Sequence, residues 1–206
     1  MPPHVLRNLK NDITAADEHK DVTLIFADIV GFTEYSSTRL PNEVVSMLSK
    51  LFTTFDHLCV ENDVYKVCTI GDCYVIMGYR GSEDENERRD PGKELLNMAN
   101  MGINIIKAIA EVNEKNGIKL DMRVGLHTGQ VIAGVTGTNI VRYDIYGPDV
   151  MIANEIETNG RAGRINISEV VKNILEQIAP SRFGFEFNMT LEIRLRKEKE
   201  DEVKKV

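Results

Sequence analysis

Tryptophan is absent from this chain, and cysteine is scarce, at three residues. Cys59, Cys68 and Cys73 have no zinc-type spacing with the four histidines. Cys68 and Cys73 flank Gly71-Asp72 in a strand-rich stretch, which argues against a structural disulfide and suits a reducing compartment. Basic residues are outnumbered, 25 Lys and Arg against 32 Asp and Glu, for a net charge of −7. A general nucleic-acid surface needs the opposite sign, so nucleic acid is not expected as a partner. No apolar run approaches the roughly 18 residues of a membrane span, so no direct membrane insertion is expected. The opening stretch "MPPHVLRNLKNDITAADEHK" is polar and has no signal-peptide core. Together these absences predict a cytoplasmic chain, either by itself or as the cytosolic domain of a larger membrane protein.

The remaining composition is that of a globular domain. Of 206 residues, 42% are hydrophobic and 28% charged, enough to bury one core. "DVTLIFADI" (21–29) predicts a strand buried on both faces. From Pro41 to Asn62, apolar residues recur at helical spacing, with Pro41 in the first turn. "DVYKVCTIGDCYVIMGYR" (63–80) predicts a hairpin with Gly71-Asp72 at its tip. A solvated loop is expected over 81–90, and then a helix from Asp90-Pro91 to Asn116-Gly117. "KLDMRVGLHTGQVIAGVTG" (119–137) reads as two strands joined at Thr128-Gly129. A helix from Pro148 to Asn159, a strand over 164–168, a helix from Ser168 to Ile178 and late strands over 182–196 complete the pattern. The charged end, "KEKEDEVKKV", is expected to fray. Paired strands with helices returning between them predict an α+β fold, a ferredoxin-like sandwich with a mainly antiparallel sheet.

Asp28 ends the first strand and Asp72 tips the hairpin. If those strands are neighbours, the two carboxylates converge, and paired carboxylates with backbone carbonyls suit Mg²⁺ beside substrate phosphates. Ile29-Val30-Gly31-Phe32-Thr33 follows at once. A strand turning through glycine into a helix aims several N–H groups at one point, a cradle for polyphosphate. The alternative for Asp72 is plain turn chemistry, for which Gly-Asp is common.

"FADIVGFT", "YKVCTIGDCYVIMG", "MRVGLHTGQVIAGVTG" and "RYDIYGPDVMIANEIETNGRAGRINIS" resemble, in order, the blocks of class III nucleotidyl cyclases. The resemblance covers residues 21–178 and implies a cyclase catalytic domain over 21–196, with a lead-in (1–20) and a charged tail (197–206). It implies conversion of ATP or GTP to a 3′,5′-cyclic nucleotide and pyrophosphate, with two ions, Mg²⁺ or Mn²⁺. Asp28 and Asp72 match the metal carboxylates, and the Ile29 carbonyl a further ligand. The backbone of Ile29, Val30, Gly31, Phe32 and Thr33 matches the phosphate-holding turn. Arg123 matches an arginine on the β- and γ-phosphates, its alternative being a strand-end arginine paired with a surface acid.

Such sites lie between two domains arranged head to tail. The family pattern places an asparagine and an arginine four residues apart on one helix, where this chain has Met151 and Glu155. Methionine donates no hydrogen bond, and glutamate has the wrong charge for an anionic transition state. Both departures resemble the metal-providing half of a two-domain cyclase, whose partner domain carries the missing pair. Met151 could instead be ordinary core. The base-selecting positions hold Cys68 and Asp144, a mixed pair lining the degenerate pocket of such a half. "YKVCTIGDCYVIMG" and "YDIYGPDVMIAN" look most like protozoan guanylate cyclases joined to a P-type-ATPase-like region, which puts GTP slightly ahead of ATP. The family's usual lysine-glycine-rich phosphate segment is not evident near the last strand. The competing readings are an adenylate cyclase half and an inert regulatory pseudo-cyclase that binds nucleotide or dimerises. A diguanylate-type or polymerase-like domain is a further one, and the hairpin tip Ile-Gly-Asp-Cys-Tyr lacks its GG[DE]EF-like pattern.

Overall fold

The run of β-branched and apolar residues in "DVTLIFADI" forms the centre of a six-stranded sheet. The computed structural model describes residues 16–78, 89–136, 142–190, 192–196 and 201–205. The first strand, β1 (Ala16–Val30), begins ahead of the predicted Asp21. Its early half is polar and largely exposed, so hydrophobic periodicity gave no sign of it. A register shift between His19 and Val22, with Asp21 at φ 53°, marks a bulge between the two halves.

Gly31, at φ 87°, turns the chain into a short helix, α1 (Phe32–Ser37). Helix α2 (Pro41–Glu61) starts where Glu43 accepts a hydrogen bond from the Leu40 N–H at 3.0 Å. Strands β2 (Tyr65–Ile70) and β3 (Cys73–Met77) form the predicted hairpin around Gly71-Asp72. Helix α3 (Pro91–Asn116) is capped by Asp90, which accepts from the Lys93 N–H at 3.0 Å, and it stops at left-handed Gly117. Then come β4 (Asp121–Thr136), β5 (Arg142–Tyr146), α4 (Pro148–Thr158), β6 (Arg164–Ile167) and α5 (Glu169–Ile178). Strands β7 (Glu192–Arg196) and β8 (Asp201–Lys205) pair with each other in a separate antiparallel ribbon.

The main sheet runs β2-β3-β1-β4-β5, all antiparallel, with β6 added in parallel to β4. From Val22 onward β1 is buried on both faces, as its sequence predicts. Ile25, Ala27 and Ile29 pack into a core with Leu51 and Phe55 of α2, Met98 and Ile105 of α3, and Val171 and Leu175 of α5. Val22, Leu24 and Phe26 face the other way, toward Val75, Val131, Tyr143 and Ala153. The predicted α+β sandwich is the fold observed.

Three local expectations fail. Residues 119–137 are not two strands, because β4 continues through Thr128-Gly129. Gly129 serves close approach rather than a turn, since a Cβ there would lie 2.3 Å from the Asp149 Cγ. Its length lets β4 border β6 with Arg123–Leu126 and β5 with Ile132–Thr136. The late strands do not fill 182–196: residues 182–190 form no strand, and β7 starts only at Glu192. The charged end contributes β8 rather than a frayed tail, although 197–200 and 206 lie outside the described residues. Of the loop expected over 81–90, residues 81–88 also lie outside them. Arg89, at its end, is no plain solvated residue: it holds Glu94 at 2.7 Å and the carbonyls of Lys20 and Asp21 at the β1 bulge.

Candidate active site

Asp28 occupies the last turns of β1, on the face away from α2 and α3, directly opposite Arg123 of β4. One residue earlier, Ala27 pairs with Tyr74 of β3, which brings the end of β1 beside the hairpin tip that carries Asp72. The two carboxylates feel each other. The Asp72 carboxyl is pushed above the usual carboxylate range, first by burial and then by the Asp28 charge, while its own backbone N–H and Arg123 pull it down. Asp28 and Arg123, from neighbouring strands, and Asp72, from the tip of the adjoining hairpin, thus converge.

Arg123 is held by two acids. Its Nη2 donates to Asp28 Oδ2 at 3.2 Å, and its Nε donates to Glu157 Oε1 at 2.6 Å. The surface-pair alternative for Arg123 fails for Glu157, whose side chain is 5% exposed. Burial raises the Glu157 pKa, and the hydrogen bond and charge of Arg123 lower it. Two carboxylates share this guanidinium and Asp72 adds a third acid near Asp28, which leaves surplus negative charge at the site. Among the described residues, no three His, Cys, Asp or Glu side chains form a ready-made cage. Two carboxylates that need backbone and substrate oxygens to complete an octahedron suit Mg²⁺ beside phosphates, so the donor set fits the implied ions.

Around this centre, Ile29 is buried, Val30 and Phe32 are half-buried, and Gly31 and Thr33 are exposed. The left-handed Gly31 accepts from the Tyr35 N–H at 3.0 Å, which leaves the first-turn N–H groups of α1 outside the intrahelical ladder. Cys68 and Asp144 come together although they sit on β2 and β5. Burial and the Asp144 charge raise the Cys68 thiol, and Tyr65 meets Tyr143 edge-on at 5.8 Å. Met151 is not core: it is 61% exposed on α4, and Glu155 is exposed one turn later. A cavity of about 970 Å³ lies elsewhere, between α3, β6, α5 and residues 182–190, and includes none of these side chains.

Sequence reading missed Glu157. Its signal was present in "IANEIE", where Ile152, Ala153 and Ile156 are buried at helical spacing and Glu157 continues the stripe. Two further clusters support the site. The Tyr74 hydroxyl donates to Asp56, which also pairs with Lys66 at 2.7 Å, and so ties the hairpin to α2. His127 joins Ser168 at 2.9 Å to Asp149 at 3.2 Å. This Ser-His-Asp chain is not a hydrolytic triad, because Ser168 is buried and caps α5.

Comparison with known proteins identifies the family of the chain. The adenylate and guanylate cyclase catalytic domain family matches residues 14–205. A guanylate cyclase of Toxoplasma gondii is 40% identical over 195 residues, 94% of this chain and 4% of that protein. Guanylate cyclase alpha of Plasmodium falciparum is also 40% identical over 195 residues, 94% of this chain and 5% of its own. The chain therefore spans only a small part of the length of these relatives. Among solved structures, the guanylate cyclase domain from Catenaria anguillulae in complex with GTP is 27% identical, with a TM-score of 0.66 over 92% of this chain and 96% of that one. No helix among the described residues is long and apolar enough to cross a membrane. With its family blocks in order on the matching fold, this chain belongs to the adenylate and guanylate cyclase catalytic domains.

Proposed function

We propose that this domain is the metal-providing half of a nucleotide cyclase, completed head to tail by a second cyclase domain and converting GTP, ahead of ATP, to a 3′,5′-cyclic nucleotide and pyrophosphate. The convergence of Asp28, Asp72 and Arg123 carries this reading. In the reaction the ribose 3′-oxygen bonds to the α-phosphorus, the bond to the β-phosphate oxygen breaks, and the hydroxyl proton is released. Two Mg²⁺ or Mn²⁺ ions would be held by Asp28, Asp72 and the Ile29 carbonyl, and would supply a lowered hydroxyl pKa and neutralisation of the triphosphate. Arg123 and the turn from Ile29 to Thr33 orient the polyphosphate. GTP is favoured by the guanylate cyclase relatives, and an adenylate cyclase half is the alternative.

The exposed Met151 and Glu155 support the half-site assignment, because they face solvent where a partner would dock and offer it neither an amide nor a cation. An inert pseudo-cyclase is the less economical reading, since such a scaffold has no need of a clustered Asp28, Asp72 and Arg123. The domain is proposed to act in the cytoplasm, by itself or as part of a larger membrane protein.

Asp28→Asn and Asp72→Asn are each expected to abolish metal-supported triphosphate binding while the fold survives, because an amide oxygen is a poor substitute for a carboxylate on Mg²⁺. Calorimetric titration with Mn²⁺ and a non-hydrolysable GTP analogue reads this directly. Unchanged affinity in both variants would remove them from the metal site.

A further inference from the structure

We propose that Glu157 is a positioning residue that anchors Arg123 by its Nε edge, so that the guanidinium can pivot from Asp28 to the polyphosphate of a bound nucleotide. This rests on the reading of Asp28 and Arg123 as parts of a nucleotide site.

The two bonds of Arg123 are unequal. The Nε bond to Glu157 is 2.6 Å long and ends on a carboxylate 5% exposed. The Nη2 bond to Asp28 is 3.2 Å long and ends on a carboxylate 26% exposed. Charge-assisted bonds shielded from water are the strong ones, and partly solvated pairs exchange more easily. Glu157 therefore holds while Asp28 releases. Nη1 has no partner among the described residues. Gripping a guanidinium by Nε alone leaves its Nη edge available, whereas a purely structural pair commonly closes the bidentate fork.

The anchor is rigid. A Cβ on Gly125 would lie 2.4 Å from the Glu157 N, so α4 is pressed against β4 at this residue. A Cβ on Gly160 would lie 2.9 Å from the Glu157 carbonyl oxygen and 3.1 Å from the Arg123 Cγ. The backbone of Glu157 and the stem of Arg123 are thus clamped by two glycines, and the freedom that remains is at the tip of the guanidinium. That freedom lets Nη2 reach Asp28 and offset part of its charge. When cations take over that role, the Nη edge turns to phosphate oxygens.

The test titrates the chain with Mn²⁺ alone, and with Mn²⁺ plus a non-hydrolysable GTP analogue. It compares wild type with Glu157→Gln, Arg123→Ala, the double variant, Arg123→Lys and Asp28→Asn. Glu157→Gln keeps the side-chain shape but leaves Asp28 as the sole anion on Arg123. It is expected to weaken both Mn²⁺ and analogue binding, the latter by about tenfold, the scale of one charge-assisted bond. If Glu157 acts through Arg123, the double variant binds analogue no worse than Arg123→Ala. Arg123→Lys is expected to lose affinity as fully as Arg123→Ala, because one ammonium cannot hold Glu157 and reach phosphate together. Wild-type affinity in Glu157→Gln or Arg123→Lys, or additive losses in the double variant, would overturn the proposal while Asp28→Asn still fails to bind. Absent binding by wild type, or full binding by Asp28→Asn, would overturn the reading of the site itself.

Discussion

At the scale of single residues, the site sacrifices stability for charge. Asp72 and Glu157 both have carboxyl groups raised by burial, so each binds its proton more tightly in the folded chain than in the unfolded one. Their contribution is then most favourable below the unfolded carboxylate value, near 4. It declines as pH rises through the raised folded value. Asp72→Asn is expected to raise the melting temperature of the metal-free chain at pH 7 and to remove the share of its pH dependence that Asp72 contributes above pH 4. Each ~1 kcal/mol relieved would appear as roughly 2–4 °C. Thermal melts across pH, wild type against variant, check both sign and window. Cys73, pushed up to about 12 by burial and by Asp28 and Glu157, stays a thiol at neutral pH and is expected to react slowly with alkylating agents. Cys68→Glu, alone or with Asp144→Cys, is expected not to switch the substrate of the assembled enzyme, because under the proposed half-site reading these side chains line the pocket without the metal carboxylates. An inverted ATP:GTP preference would show that this chain supplies the base pocket. Asp28 and Asp72 were legible because each ends or tips a recognisable strand. Glu157 was not, because a charged residue on a helix is ordinarily read as solvated, and only its place on the buried stripe marks it.

At the scale of elements, the close contact of α4 with β4 positions the chemistry. Gly125 and Gly129 lie four residues apart on one face of β4, and added Cβ atoms there would strike the Glu157 backbone and Asp149. Gly125→Ala is therefore expected to destabilise the chain by about 1–3 kcal/mol, the usual cost of overpacking. It should weaken triphosphate binding as well, since the struck residue anchors Arg123. Chemical denaturation and calorimetry on the same preparation measure the two effects. Gly31→Ala meets Leu120 Cδ2 only at an ordinary 3.6 Å but must adopt φ 87°, so its cost is conformational rather than steric. Helix boundaries were legible in the sequence because Pro41, Asp90-Pro91, Gly117, Pro148 and Ser168 act as local stop and start signals. β4 was misread because glycine in a strand looks the same whether it turns the chain or admits a neighbouring helix. That distinction is tertiary. The early half of β1 is paired but not buried, so it left no apolar pattern to read.

At the scale of the whole molecule, the fold presents a charged centre at the end of β1 together with a helix that exposes Met151 and Glu155. In the proposed head-to-tail arrangement, a symmetric dimer would set each proposed metal site against a partner's Met151 and Glu155. Lacking the arginine removes one preorganised contact to transition-state charge, a loss of about 10²–10³ in rate, and a carboxylate stands in its place. Lacking the asparagine loosens the ribose. Because both side chains are exposed, Met151→Asn with Glu155→Arg changes no buried packing, and both residue types are tolerated in a helix at modest cost. The direct measurement is cyclic nucleotide formed per minute from GTP with Mn²⁺, by the wild-type chain and by this double variant. The account expects wild type near background and the double variant well above it. Robust turnover by the wild-type chain without a partner would contradict the half-site claim.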